Sequence, residues 1–200
     1  MNALHFLRAV CVVINGNRIN ERVFAFKYRF FADLHGTVVE IGPGAGVNLQ
    51  FFPQTVSSYI GIEPNPVLCR WLKRRKDEYH LPIQAVNAEA DKLPYSSESV
   101  DAVISTFVLC HIPDQKQVLK EIKRVLKPGG RFLFIEHVAS RHYWVRKLQD
   151  LISPVSCRLQ GCRLNCDTIQ SIRESGFASL KMIEGNHDKL FTIAFGTCTK

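Results

Sequence analysis

Short runs of β-branched and aromatic residues recur along the chain, and stretches with apolar positions three or four apart separate them. The runs predict strands near 37–41, 58–62, 83–87, 100–105, 131–138, 178–184 and 190–198. The intervening pattern predicts helices near 45–52, 65–79, 114–127, 142–152 and 166–176. In the helix at 114–127, Val118, Leu119, Ile122, Val125 and Leu126 make one apolar stripe; Pro113 stands at its entrance and Pro128-Gly129-Gly130 ends it. Strand and helix alternating in this way predict an α/β fold, a parallel sheet covered on both faces.

Ahead of that alternation the pattern changes. Ile19, Val23, Phe26, Phe30 and Leu34 fall at helical spacing with Arg18, Arg22, Lys27 and Arg29 between them, which predicts a basic amphipathic helix over 18–35. This helix is expected to be a lid on the domain or a peripheral membrane contact. The apolar run 4–14 is interrupted by Arg8 and is about half the length of a membrane span, so neither an integral anchor nor a signal peptide is expected. With 200 residues in all, the expected organisation is an N-terminal extension over 1–35 and one domain over 36–200.

Composition narrows the class. At 46 % hydrophobic and 22 % charged, the chain has ample core material, and collagen-like, disordered and coiled-coil readings are excluded. The net charge of +8 is uneven: 11 basic and 9 acidic residues in the first hundred give +2, and 15 and 9 in the second give +6. No dense Lys/Arg run or base-handling motif accompanies this excess, so no nucleic-acid partner is expected. Seven scattered cysteines fit a reducing, intracellular location, cytoplasmic or membrane-peripheral. Cys157, Cys162 and Cys166 lie near one another, but without a CxxC pair or a histidine at zinc-finger spacing, and no metal site is expected.

The chemistry begins at Val38-Val39-Glu40-Ile41-Gly42-Pro43-Gly44-Ala45-Gly46-Val47, a strand that runs into a glycine-rich turn. In open α/β sheets, ligands bind beyond the carboxyl ends of the strands, where glycines let a ligand approach the backbone. The G-x-G-x-G spacing departs from the dinucleotide G-x-G-x-x-G fingerprint, and no triphosphate-cradling G-x-x-x-x-G-K-[ST] is present. About 20 residues on, Ile60-Gly61-Ile62-Glu63 ends a strand with a carboxylate able to accept from both hydroxyls of a ribose. A further carboxylate follows the next strand in Asn87-Ala88-Glu89.

These segments, with Val100-Asp101-Ala102-Val103-Ile104-Ser105 and Leu126-Lys127-Pro128-Gly129-Gly130-Arg131-Phe132, resemble the class I S-adenosylmethionine (SAM) dependent methyltransferases, of the methyltransferase type 11 kind. The resemblance covers roughly 36–198. It implies a Rossmann-like seven-stranded, mostly parallel sheet with an antiparallel C-terminal hairpin, in keeping with the last two predicted strands. By the same resemblance Gly42, Gly44 and Gly46 border SAM, Glu63 binds its ribose and Ala88 and Glu89 face its adenine. Glu40 helps position the methionine ammonium, and Ser105 and Thr106 line the methionine pocket. SAM carries the activated methyl, leaving orientation and electrostatics to the protein.

For the acceptor, Thr106-Phe107-Val108-Leu109-Cys110-His111, Phe134-Ile135-Glu136-His137-Val138 and Gly161-Cys162-Arg163-Leu164 look most like the microsomal thiol S-methyltransferase branch, which implies a small alkyl thiol. That branch carries a long N-terminal hydrophobic anchor, whereas this sequence has only the run 4–14 and the basic segment. Phospholipid N-methylation, quinone-type C-methylation and a non-catalytic SAM-binding or scaffold role stay open beside it. His111 and His137 follow the fourth and fifth strands, where an imidazole could take a proton from a thiol. Cys110 reads as a small buried apolar residue. Tyr143, Trp144, Leu148, Leu151 and Ile152, in the segment 140–166 that often shapes acceptor specificity, read as core or as part of an apolar acceptor pocket.

Overall fold

Side chains alternate across β1 (Gly36–Ile41), so Val38 points to one face of the sheet and Val39 to the other, and both are fully buried. The same alternation sorts Ala102 and Ile104 from Val103 in β4 (Val100–Thr106), and Leu133 from Phe132 and Phe134 in β5 (Leu126–Val138). A sheet apolar on both faces needs cover on both. Val118, Leu119 and Ile122 of α3 (Gln115–Val125) and Ile172 of α5 (Thr168–Glu174) supply it on one side. On the other side it comes from Leu72 of α2 (Pro66–Arg74) and from Phe31 and Leu34, in and after helix α1, whose described residues are 26–31. Burying Phe31 and Leu34 this completely is worth about 1.5–3 kcal/mol each.

The computed structural model describes residues 26–140, 142–160, 162–183 and 192–200. The predicted apolar run 4–14 and the first part of the amphipathic helix lie outside them. The sheet is completed by β2 (Val56–Ile62), β3 (Ile83–Val86), β6 (Ser179–Ile183) and β7 (Thr192–Thr199), in the order β3-β2-β1-β4-β5-β7-β6. The pairs among β1 to β5 are parallel, and β7 runs antiparallel to both β5 and β6. The chain moves outward from β1 to β3 and then returns to the other side of β1 as β4. The carboxyl ends of β1 and β4 therefore flank a topological switch point, where such sheets bind ligands.

Several predicted elements shift. The helix expected over 45–52 is a series of turns closing in a 3₁₀ turn, Leu49–Phe51, because positive φ angles at Gly42, Gly44 and Gly46 prevent helical winding and the Asn48 side chain is engaged elsewhere rather than capping. The helix expected over 65–79 ends at Arg74; Asn65 caps its start by accepting from the N–H groups of Val67 and Leu68. Helix α4 (Tyr143–Gln160) continues through Pro154 instead of stopping near 152. β5 takes in Pro128-Gly129-Gly130, with a register shift against β4 between Val100 and Ala102.

Lys27 corrects the amphipathic reading of 18–35. It is only 2 % exposed and points inward, while Tyr28 and Arg29 face solvent. No described helix is long and apolar enough to cross a membrane.

Candidate active site

Glu40, the penultimate residue of β1, is completely buried, and each of its carboxylate oxygens is occupied. Asn48 Nδ2 donates to Oε1 at 2.5 Å and the Tyr59 hydroxyl donates to Oε2 at 2.6 Å. Asn48 Nδ2 also donates to Thr106 Oγ1 at 3.1 Å, and its Oδ1 accepts from Lys27 Nζ at 2.7 Å. Burial drives Glu40 upward from the ordinary carboxylate range and brings the Lys27 ammonium down to about 8, while their mutual attraction opposes both shifts. Lys27, Asn48 and Tyr59 carried no motif signal. Only their gathering around Glu40 identifies them.

The turn after β1 brings backbone into this space. A Cβ on Gly42 would lie 2.4 Å from Val108 Cγ2, at a φ of 60° that side chains rarely adopt. Gly46 is equally closed, with Leu49 Cδ1 2.7 Å and Leu72 Cδ1 2.8 Å from its would-be Cβ. Arg75 fastens the turn from outside by donating to the carbonyls of Gly46 at 3.0 Å and Ala45 at 3.3 Å.

Glu63 follows β2 at the same end of the sheet and is 4 % exposed. Its Oε2 accepts from Gly44 N–H at 3.0 Å and its Oε1 from Asn65 N–H at 2.9 Å. Burial, opposed by those two bonds and reinforced by the charges of Glu40 and Glu89, lifts Glu63 to about 7. Asn87 clasps the neighbouring strand end, donating to the carbonyls of Glu63 at 2.8 Å and Pro64 at 2.9 Å. Ala88 is half-buried against the core and Glu89 is exposed, so the three carboxylates range from sealed to open.

The ends of β4 and β5 are organised by a residue that the sequence reading gave no role. Glu136 is fully buried; its Oε1 accepts from the Ser105 hydroxyl at 2.5 Å and from the N–H groups of Val108 and Leu109, each at 3.1 Å. Cys110 N–H reaches Oε2 at 3.5 Å. Burial raises Glu136, against the pull of these donors. The Ser105 hydroxyl, expected in the methionine pocket, is thus turned to Glu136 in a fully buried position. Thr106 is half-buried and faces Asn48.

Beyond them the chain turns at Phe107, whose φ is 57°, into the 3₁₀ turn Leu109–His111. Cys110 is fully buried, as its apolar reading required, yet its sulfur lies 3.4 Å from Cys162 Sγ and 3.3 Å from His111 Nδ1. Cys162 Sγ lies 3.6 Å from His137 Nδ1, and Phe107 packs its ring on that imidazole at 4.7 Å. The contact from Cys110, together with His137, holds the Cys162 thiol well below the ordinary thiol range, and the same contact and burial push Cys110 upward. His137 is half-buried and His111 exposed. Of the stripe on α4, Tyr143, Trp144, Leu148 and Leu151 are exposed, with Trp144 at 81 %, whereas Ile152 packs against the buried cluster of Cys110, Cys162 and Leu164.

Residues 39–134 match the methyltransferase domain family. Human thiol S-methyltransferase TMT1A is 31 % identical over 176 residues, spanning 82 % of this chain and 72 % of that protein. The chain belongs to the class I SAM-dependent methyltransferases. It is an enzyme of this family and uses SAM as its cofactor. Its fold is also that of geranyl diphosphate C-methyltransferase from Streptomyces coelicolor, with a TM-score of 0.69, 14 % identity and coverage of 90 % of this chain and 81 % of that one. A ubiquinone/menaquinone biosynthesis C-methyltransferase from Bartonella tribocorum is 42 % identical over 71 residues, 36 % of this chain and 27 % of that protein.

Proposed function

We propose that this methyltransferase acts on a small lipophilic thiol. The observation that carries this reading is the 31 % identity to a thiol S-methyltransferase across 82 % of the chain, far beyond the 36 % shared with the quinone enzyme. The polar groups of the site support the cofactor half. Two buried carboxylates suit a ligand that carries a sulfonium, an ammonium and a ribose diol. Glu63 accepts the ribose hydroxyls in place of its present backbone donors, and Glu40 faces the ammonium from behind Asn48. Gly42, Gly44 and Gly46 give the ligand access to backbone, Ala88 and Glu89 flank the base, and Thr106 lines the methionine end.

SAM supplies the activated methyl, and the remaining task is to hold a nucleophile in line with it. The rim formed by Phe107, His111 and His137 does this at the carboxyl ends of β4 and β5. A thiol is a far better nucleophile once deprotonated, and an imidazole of this rim takes its proton. Exposed apolar side chains of α4 suit a lipid-like acceptor or a membrane surface as its source.

The test is mass spectrometry of the purified protein incubated with SAM and a simple alkyl thiol, beside Glu63→Ala. Formation of the S-methyl product by the wild type and its loss in the variant are expected. Tight SAM binding without product would overturn the thiol reading and turn attention to quinone or phospholipid acceptors.

A further inference from the structure

The two sulfurs and the imidazole at the acceptor rim come from three separate elements: the 3₁₀ turn after β4, the end of β5 and the segment after α4. Their donor atoms, one each from Cys110, Cys162 and His137, all lie within 4.8 Å of one another. We propose that Cys110, Cys162 and His137 form a binding site for a soft divalent cation of the zinc class.

The spacing argues for it. A tetrahedral ion about 2.3 Å from each sulfur and about 2.0–2.1 Å from a ring nitrogen sets its ligand atoms about 3.8 Å apart for sulfur–sulfur and about 3.6 Å for sulfur–nitrogen. The observed separations are 3.4 Å for Cys110 Sγ to Cys162 Sγ and 3.6 Å for Cys162 Sγ to His137 Nδ1. The third edge, between Cys110 Sγ and His137, is within 4.8 Å.

The donor set is equally specific. Thiolate and imidazole select zinc and its neighbours over magnesium or calcium, which require oxygen. Both sulfurs are buried, and Glu136 already places a carboxylate against the N–H groups of 108–110. A divalent cation between the two sulfurs offsets the charge they acquire on giving up their protons to bind it. The backbone around the site is braced independently: Arg163 N–H donates to the Cys110 carbonyl at 3.2 Å, which Cys166 Sγ approaches at 3.8 Å.

Three protein donors leave a tetrahedral ion one position for a further ligand, the pattern of sites that handle a substrate. A thiol bound there loses its proton outright, with His111 at hand to receive it; this last role rests on the thiol reading above, whereas the metal site does not.

Cobalt(II) is the probe, added without acceptor to reduced, tag-free protein, so that the outcome is independent of what the enzyme methylates. One equivalent should bind with intense sulfur-to-cobalt charge-transfer absorption and be displaced by zinc. Cys110→Ser and Cys162→Ser should each lose about half of that absorption and weaken binding at least ~10–100-fold, and His137→Gln should weaken binding while retaining the absorption. Cys166→Ser should change neither. SAM binding by each variant checks its fold. Wild-type protein that binds SAM but shows no charge-transfer band overturns the site, as does a band unchanged in both Cys110→Ser and Cys162→Ser. Conversion of the two sulfurs to a disulfide in air, with no cobalt uptake after reduction, overturns it as well.

Discussion

Glu40 and Glu136 occupy equivalent places: both are fully buried carboxylates near the carboxyl ends of strands that flank β4, and burial raises both. Their partners differ. Glu40 accepts from side chains, Tyr59 and Asn48, while Glu136 accepts from three consecutive backbone N–H groups and one hydroxyl. Side-chain partners can reorient toward a ligand; a carboxylate that satisfies backbone donors fixes a loop. The Glu40 side of the site is thus adaptable, and the Glu136 side holds a rim in one shape.

Substitutions can separate these two roles. The largest effect is expected from Glu136→Ala, which orphans the donors of 108–110 and should lower unfolding free energy by about 3–5 kcal/mol, read by chemical denaturation. Glu63→Gln should fold normally and weaken SAM binding roughly 10- to 100-fold by calorimetry, the loss of a charged acceptor. Tyr59→Phe removes one donor from buried Glu40 and should cost about 1–3 kcal/mol of stability with a smaller change in SAM affinity.

The effect of pH is smaller. With Glu63 raised to about 7 in the folded protein, SAM affinity should rise about 10-fold from about pH 6 to about pH 8 as the carboxylate ionises, and Glu63→Gln should abolish that slope. The same group binds its proton more tightly folded than unfolded. Its contribution to stability is therefore present below the unfolded value of 4.5 and is lost as pH rises through about 7. The smallest effect belongs to Trp144→Ser, on the exposed face of α4, which should change stability by less than about 0.5 kcal/mol. A large loss there would show that α4 is packed against something in solution.

On the adaptable side, the carboxylates and the glycine turn were readable from sequence because they are close along the chain. Glu40, the three glycines and Glu63 lie on adjacent strand ends within 24 residues, and the alternating apolar runs fixed the strands that carry them. The rim was not, because Cys110, His137 and Cys162 meet only through the packing of three elements. Spacing directed attention to Cys157, Cys162 and Cys166, whereas the fold pairs Cys162 with a residue 52 positions earlier. Lys27 escaped for a related reason: periodicity places a lysine on a helix face but does not reveal a buried Asn48 waiting there. The helix expected over 45–52 failed because the pattern of apolar residues says nothing of the left-handed glycines ahead of it.

The contact between Gly42 and Val108 bears on how such an enzyme could be redesigned. The valine side chain fills the place where a Cβ on Gly42 would stand, 2.4 Å away, so the glycine turn and the rim after β4 share one wall. Transplanting a rim from another enzyme onto this sheet would succeed only with a residue of matching shape at 108. A bulkier graft there would displace the glycine turn, although no residue of that turn had been altered.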